Sequence, residues 1–337
     1  MFDTAPVAAL TPPGPVTADV ASLLKDVPLF GDIPAEDLDE FASAFVRVEL
    51  AAGELLWRQG TEVEGLHVLL SGRVQVCRCL PGERELELAR LGAGAVMGEI
   101  PLLGGGTHSA MVRAVSPCSL LFLDRAQFHA RMVSRRPSAL ELRRRIVAIA
   151  CDRVRVVHAA LRGFEQPTPA SPSRGWSVPS GEPAAPPTRT YLARLPFFRG
   201  LAEDVVTALL DAGETLHMAP RSTIVPEGTR SSCCFVVLNG AIEDVVPRDG
   251  GTIRVGFAGP GHATGYLGLL DGRPASATSV ARERSTLLAI SARDFDALMQ
   301  RGDERSQAFV AAIERDLMGS LRTAERAKSH LAAVAAP

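Results

Sequence analysis

A chain of 337 residues with 46% hydrophobic and 22% charged side chains has apolar surface for two ordinary globular domains, which excludes a fibrous or wholly disordered protein. A formal net charge of -2 excludes a whole-protein field that would favour nucleic acid or an anionic membrane. The six cysteines, at 77, 79, 118, 151, 233 and 234, make neither a paired CxxC zinc framework nor a secreted disulfide scaffold, so reduced thiols in a cytoplasmic protein are expected.

Residues 1–26 read as a flexible N-terminal tail, Pro- and Ala-rich at its start and without the basic and apolar regions of a signal peptide. No run approaches the ~18 apolar residues of a membrane span, so no membrane partner is expected. Ala35 to Phe45 carries Leu38, Phe41, Ala42 and Phe45 at helical spacing. The period then falls toward two. Leu66–Leu70, Gly72–Val76, Glu85–Leu88, Val112 and Leu120–Leu123 read as short strands separated by glycine-rich turns. From Ser138 to Leu161 the period returns to 3.6, with adjacent stripes at Leu142, Ile146, Ile149 and at Val147, Ala150, Val154, Val157, Leu161. That apolar face is too wide for a lone surface helix, so the 138–161 helix is expected to bind its own domain, a protein partner or a second copy. Residues 163–190, with seven prolines between Gly163 and Thr190, read as an extended linker. Cys234–Leu238, Ile253–Phe257 and Thr286–Ile290 are again strands, and Asp303 to Ala333 is helical, with Phe309, Ile313, Leu317 and Leu321 four apart.

The two halves repeat. Val27-Pro28-Leu29-Phe30 recurs as Leu195-Pro196-Phe197-Phe198, Gly60 as Gly228 and Gly72 as Gly240, all 168 residues on. Gly98 matches Gly265, Ser109-Ala110 matches Ser276-Ala277, and Phe128 matches Phe295, at 167. The domains are therefore drawn at 27–162 and 191–334. The fold class is mainly β with flanking helices, as two tandem jelly-roll-like β-rolls, each followed by a helical segment.

The order helix, glycine-punctuated roll, long helix resembles the cyclic-nucleotide-binding domain family, which includes the catabolite-activator-type regulators and kinase regulatory subunits. The resemblance rests on the spacing of Gly60 to Gly72 and of Gly228 to Gly240, on Gly98-Glu99-Ile100-Pro101-Leu102-Leu103, and on Leu269 to Thr278. It implies a phosphate-binding cassette: a short helix whose N–H groups cradle a cyclic phosphate, an arginine that grips it, and a glutamate that accepts the ribose 2′-hydroxyl. In the first copy the implied ligand residues are Gly98, Glu99, Ile100, Leu102, His108, Ser109 and Ala110, with His108 at the arginine position and Pro101 removing one backbone donor. Cyclic AMP or another cyclic nucleotide is the ligand that this copy implies. In the second copy they are Gly265, Tyr266, Arg273 and Ser276, with Tyr266 at the glutamate position and Ala275 at the arginine position.

Other constellations are expected to be structural. Cys77 and Cys79, two apart on a strand near His67, read as small buried residues rather than metal or haem ligands. Cys233 and Cys234 should face opposite sides. The arginines at 131, 135, 136, 143–145, 153 and 155 read as a solvated helix face diluted by Glu141 and Asp152. No Walker loop, HExxH, GxSxG or kinase signature is present, so no catalytic or metal residue is assigned and an enzyme is not expected. A proline-rich segment and a second roll stand where a winged helix would follow, which argues against DNA binding. Residues 1–26 hold Lys25 as their one basic residue, so a basic pseudosubstrate is not expected there. Two functions stay open. One is a ligand-responsive regulatory module sensing through the first roll. The other is a scaffold or interaction protein with empty pockets.

Overall fold

The structure, a computed structural model, describes residues 17–80, 84–133, 136–162, 181–300 and 303–335. It divides into two compact units, the first ending at Val147 and the second beginning at Ala148. The first holds α1 (Thr17–Lys25), α2 (Ala35–Ala42), β1 (Phe45–Leu50), β2 (Leu55–Trp57), β3 (Gly65–Ser71), β4 (Val74–Leu80), β5 (Arg84–Leu91), β6 (Val96–Met97), α3 (Glu99–Gly104), β7 (Met111–Ala114), β8 (Cys118–Asp124), α4 (Arg125–Val133) and the start of α5 (Pro137–Leu161). The second holds the rest of α5, β9 (Glu182–Pro183), α6 (Arg189–Leu192), α7 (Glu203–Ala212), β10 (Gly213–Met218), β11 (Thr223–Val225), β12 (Cys233–Asn239), β13 (Ile242–Arg248), β14 (Gly251–Ala258), β15 (Ala263–Thr264), α8 (Leu267–Asp271), β16 (Thr278–Ala281), β17 (Ser285–Ser291), α9 (Ala292–Gln300) and α10 (Glu304–Ala335).

Each unit is built on two antiparallel sheets. In the first the orders are β1-β8-β3-β6 and β2-β7-β4-β5. In the second they are β15-β12-β17-β10-β9 and β11-β16-β13-β14, the same arrangement with β9 added at an edge. The repeat extends to irregularities. Register shifts at Val76/Cys77, Leu55/Trp57 and Leu69/Ser71 recur at Asp244/Val245, Thr223/Val225 and Val237/Asn239. A bulge adds an unpaired residue and increases local twist, so matching bulges bend both rolls alike.

Apolar residues of both sheets meet inside each roll. Leu56, Leu69, Val74, Met97, Val112 and Leu120 form the first core, and Ile224, Phe235, Val237, Ile242, Ala281 and Leu287 the second. The repeated Pro-containing turns anchor the flanking helices. Phe30 lies 6.1 Å from Phe41 of α2, and Phe197 meets Phe309 of α10 at 6.0 Å. Such aromatic pairs contribute about 0.5–1.5 kcal/mol beyond the area they bury.

Four expectations are revised. Residues 17–25 of the expected tail form α1, which buries Val20 and Leu24. Residues 1–16 lie outside the described residues, as does 163–180 of the expected linker. Within the rest of that linker, Glu182 and Pro183 pair with His217 and Leu216 of β10, and Arg189–Leu192 is helical. Proline lacks a backbone donor, so an edge is the strand position that it tolerates. The apolar stripes of α5 are covered within the chain: Leu142, Ile146, Ala150, Val154, Val157 and Leu161 are all buried. The helix therefore does not offer that face to a partner. Its arginines are held by side chains and carbonyls rather than solvated as a group. Arg145 bonds Glu141, Asp32 and the carbonyl of Pro28, and Arg136, just before the helix, bonds Asp37 and Glu40.

Candidate functional site

In the first roll β6 turns into α3 at Gly98, whose φ is +83°. A Cβ there would lie 2.6 Å from the Gly65 carbonyl oxygen, so the corner needs glycine. Gly98→Ala is expected to destabilise this unit by about 2–4 kcal/mol, from backbone strain plus the forced displacement of Gly65. An unchanged urea midpoint would contradict that account. Glu99 opens α3 and is 2% exposed, while Ile100 and Leu102 bury their side chains and fix the helix on the roll. Thr107 to Ala110 then runs past the Gly60 turn. The backbone N–H of His108 donates to Thr61 O at 2.9 Å, and Gly60 N–H donates to His108 O at 2.8 Å.

The His108 ring lies flat on Trp57, with centroids 4.1 Å apart and planes 9° apart. Trp57 Nε1 donates to Ala110 O at 3.0 Å. His67 continues the stack, 5.3 Å from Trp57 and 4.7 Å from Phe122. Burial pulls His108 down to about 4. Burial, then the neighbouring His108, pulls His67 down to about 3. Both imidazoles are neutral near pH 7. His108 thus stands at the arginine position as a neutral ring packed on Trp57.

Sequence reasoning missed Arg78. It sits on β4, is 8% exposed, and its Nε donates to Ser109 O at 3.2 Å, on the backbone of the cassette itself. No simple alternation signals it: the strand shifts register between Val76 and Cys77, and Cys77 and Arg78 are both buried beyond that shift. The cysteine pair does not share one environment. Cys77 packs with Leu55 and Met111, whereas Cys79 is exposed with its sulfur 3.9 Å from Met111 Sδ. The described residues include no group of three His, Cys, Asp or Glu that would hold a metal ion. Cys233 and Cys234 are both buried. A cleft of about 520 Å³ in the first unit is lined by Glu62, Glu64, Asp124, Arg125, Phe122 and His129. Three carboxylates give it the wrong sign for an anion.

The second cassette is tied to other parts of its own unit. Tyr266, at the glutamate position, is buried with its hydroxyl 3.0 Å from Ser320 Oγ of α10. Arg273 does not swing inward. It bonds Asp152 and Asp271, each at 3.1 Å. Ser276 Oγ lies 2.9 Å from His158 Nδ1, and Ser276 O accepts from Arg162. Arg155 grips Asp271 with two bonds, of 2.6 and 2.8 Å, and also donates to Pro274 O. Gly265 keeps its positive φ of +77°. A part-buried carboxyl on β13, Asp244, accepts from Ser279 and Thr264. Burial pushes Asp244 upward, against the pull of those hydroxyls.

The cyclic nucleotide-binding domain model matches residues 47–135 and 215–302, together more than half of the chain. Over 107 residues the chain is 36% identical to the cyclic AMP receptor protein of Thermus thermophilus, covering 32% of this chain and 50% of that protein. Over 134 residues it is 30% identical to the cAMP-dependent protein kinase regulatory subunit of Blastocladiella emersonii, covering 39% of this chain and 33% of that one. The matched stretches thus span half or less of these curated relatives. Among solved structures, the regulatory domain of Toxoplasma gondii PKA with cAMP is similar at 20% identity and TM-score 0.32, covering 85% of this chain and 93% of that one. None of the helices in the described residues is long and apolar enough to cross a membrane.

Proposed function

Because the chain belongs to the cyclic nucleotide-binding domain family, we propose that its first roll binds a cyclic nucleotide and that its second roll, closed on itself, does not. The chain on this reading is a non-enzymatic, cytoplasmic regulatory protein that acts on a protein partner. The observation that carries it is the inequality of the cassettes. Glu99 is buried at the head of α3, where an acceptor for a ribose hydroxyl belongs. Tyr266 at the matching position is bonded to α10, and Arg155 holds the second cassette through Asp271. Gly98, Ile100, Leu102, Ser109 and Ala110 shape the first site. Gly265, Arg273 and Ser276 serve closure of the second.

Titrating the full chain with cyclic AMP and with cyclic GMP in a calorimeter tests this. One of the two is expected to bind with one site per chain and micromolar affinity. Absence of heat with both, and no nucleotide released when the purified protein is denatured, would overturn it. A second reading has the rolls as rigid docking surfaces with no nucleotide at all. It is favoured by the neutral His108 and by Ala275, which leave neither cassette with an arginine at the phosphate position.

A further inference from the structure

A cyclic phosphate is a monoanion, and burying it without a cation costs several kcal/mol. The buried acidic, basic and imidazole side chains described in the first unit are His67, Arg78, Glu99 and His108. The two imidazoles lie in one aromatic stack with Trp57 and Phe122, and neither is charged near neutral pH. Arg78 is therefore the buried cation of this roll and Glu99 its buried anion. Arg78 is anchored to the cassette, because its Nε–H donates to the carbonyl of Ser109, the residue that follows His108.

The second roll provides the contrast. The register shift between Val76 and Cys77 recurs between Asp244 and Val245, so Val246 takes the place of Arg78. Val246 is fully buried in an apolar cluster with Val157, Leu161 and Val255. Asp244 sits where the first roll has Val76. The roll that keeps Glu99 has a buried cation at this strand position, and the roll that lost the glutamate has a valine there with a part-buried carboxyl, Asp244, two residues before it. Both differences point the same way.

Resting on the reading that the first roll binds a cyclic nucleotide, we propose that Arg78, reaching across from β4, supplies the positive charge that holds the cyclic phosphate in place of an arginine within the cassette. Its guanidinium presents a planar fork of donors suited to two phosphate oxygens. Glu99, buried at the head of α3, then takes the sugar hydroxyl. His108 stays a wall of the site, pressed on Trp57.

Calorimetric titrations with the nucleotide that the unmodified chain binds, and with the corresponding nucleoside, would test the assignment. Arg78→Met should weaken nucleotide binding about 10- to 100-fold, the loss of a charge-assisted contact. Arg78→Lys should fall in between, and His108→Phe should change affinity little. The nucleoside should bind weakly and equally to the unmodified chain and to Arg78→Met. Nucleotide affinity equal in Arg78→Met and the unmodified chain would overturn the role of Arg78 and leave the proposed function standing. No binding by the unmodified chain would instead overturn that function. Should Arg78→Met not fold, the pH profile of the unmodified chain decides. A guanidinium gives affinity that is flat from about pH 6 to 8, whereas an imidazole gives up to a tenfold loss per unit above its pKa.

Discussion

Lowering the pH from 7 to about 4.5 is expected to destabilise the first unit by about 3–5 kcal/mol through two histidines alone. His67 and His108 are 6% and 7% exposed, and their pKa values fall to about 3 and about 4. In the unfolded chain each returns to about 6.5. The folded pKa is thus depressed, so the folded state binds fewer protons than the unfolded state between the two values. Stability that is complete above about pH 6.5 is lost as the pH falls toward 4, at about 1.4 kcal/mol per unit for His67 and less for His108, whose folded value lies nearer the unfolded one. His67 is the larger contributor, since its Nδ1 is buried without a hydrogen-bond partner. The repeat suggests the decisive variant. Phe235 stands 168 residues after His67, on the matching strand, and is buried. His67→Phe keeps an aromatic ring against Trp57 and Phe122 and removes the titrating group. Urea unfolding across this range should show a slope for the first unit that is smaller by about 1.4 kcal/mol per pH unit than in the unmodified chain. Carboxylates contribute to both proteins and cancel in the comparison. Equal slopes would show that His67 protonates without unfolding.

The fold was legible because its signals are local. Glycines at bends, alternation along Leu66–Leu70 and Cys234–Leu238, and 3.6-residue spacing along 138–161 each report on neighbouring residues. Where a long-range contact decides, the sequence is silent. Residues 17–25 become a helix because Val20 and Leu24 find a buried surface. Glu182 and Pro183 become a strand because β10 offers a free edge. At the site, Gly98 and Glu99 were readable from the cassette motif. The partners of His108 and Arg78 were not, since Trp57 lies 51 residues before His108 and Ser109 lies 31 after Arg78. No local pattern specifies pairings at that separation. The arginines at 136, 145 and 155 read as part of a solvated face for the same reason: their partners at Asp37, Asp32 and Asp271 are distant in the chain.

Asp271→Ala is expected to destabilise the second unit by about 3–5 kcal/mol, because it strands a buried guanidinium. The side chains of Arg155 and Asp271 are 13% and 5% exposed, and two parallel bonds join them. Burial alone would raise the Asp271 carboxyl, but the bonds from Arg155 and Arg273 outweigh it and hold the group below its usual value. A depressed carboxylate stabilises the fold above the unfolded pKa and loses that effect as pH falls through the folded value, so the stabilities of Asp271→Ala and the unmodified chain should begin to converge below about pH 4 and approach each other only below the folded value. Removing both charges as Arg155→Leu with Asp271→Leu should recover most of the loss, since a paired ion is often replaceable by apolar groups of similar volume. A loss under about 1 kcal/mol in the single variant would place the pair in solvent-like surroundings. The variant also separates cassette closure from binding chemistry. Releasing Asp271 frees the loop that carries Pro274 and Ser276, but Tyr266 still bonds Ser320 and Asp244 still accepts from Ser279. Asp271→Ala should therefore add no second nucleotide site. A gained site would mean that the Arg155 contact alone keeps the second roll empty.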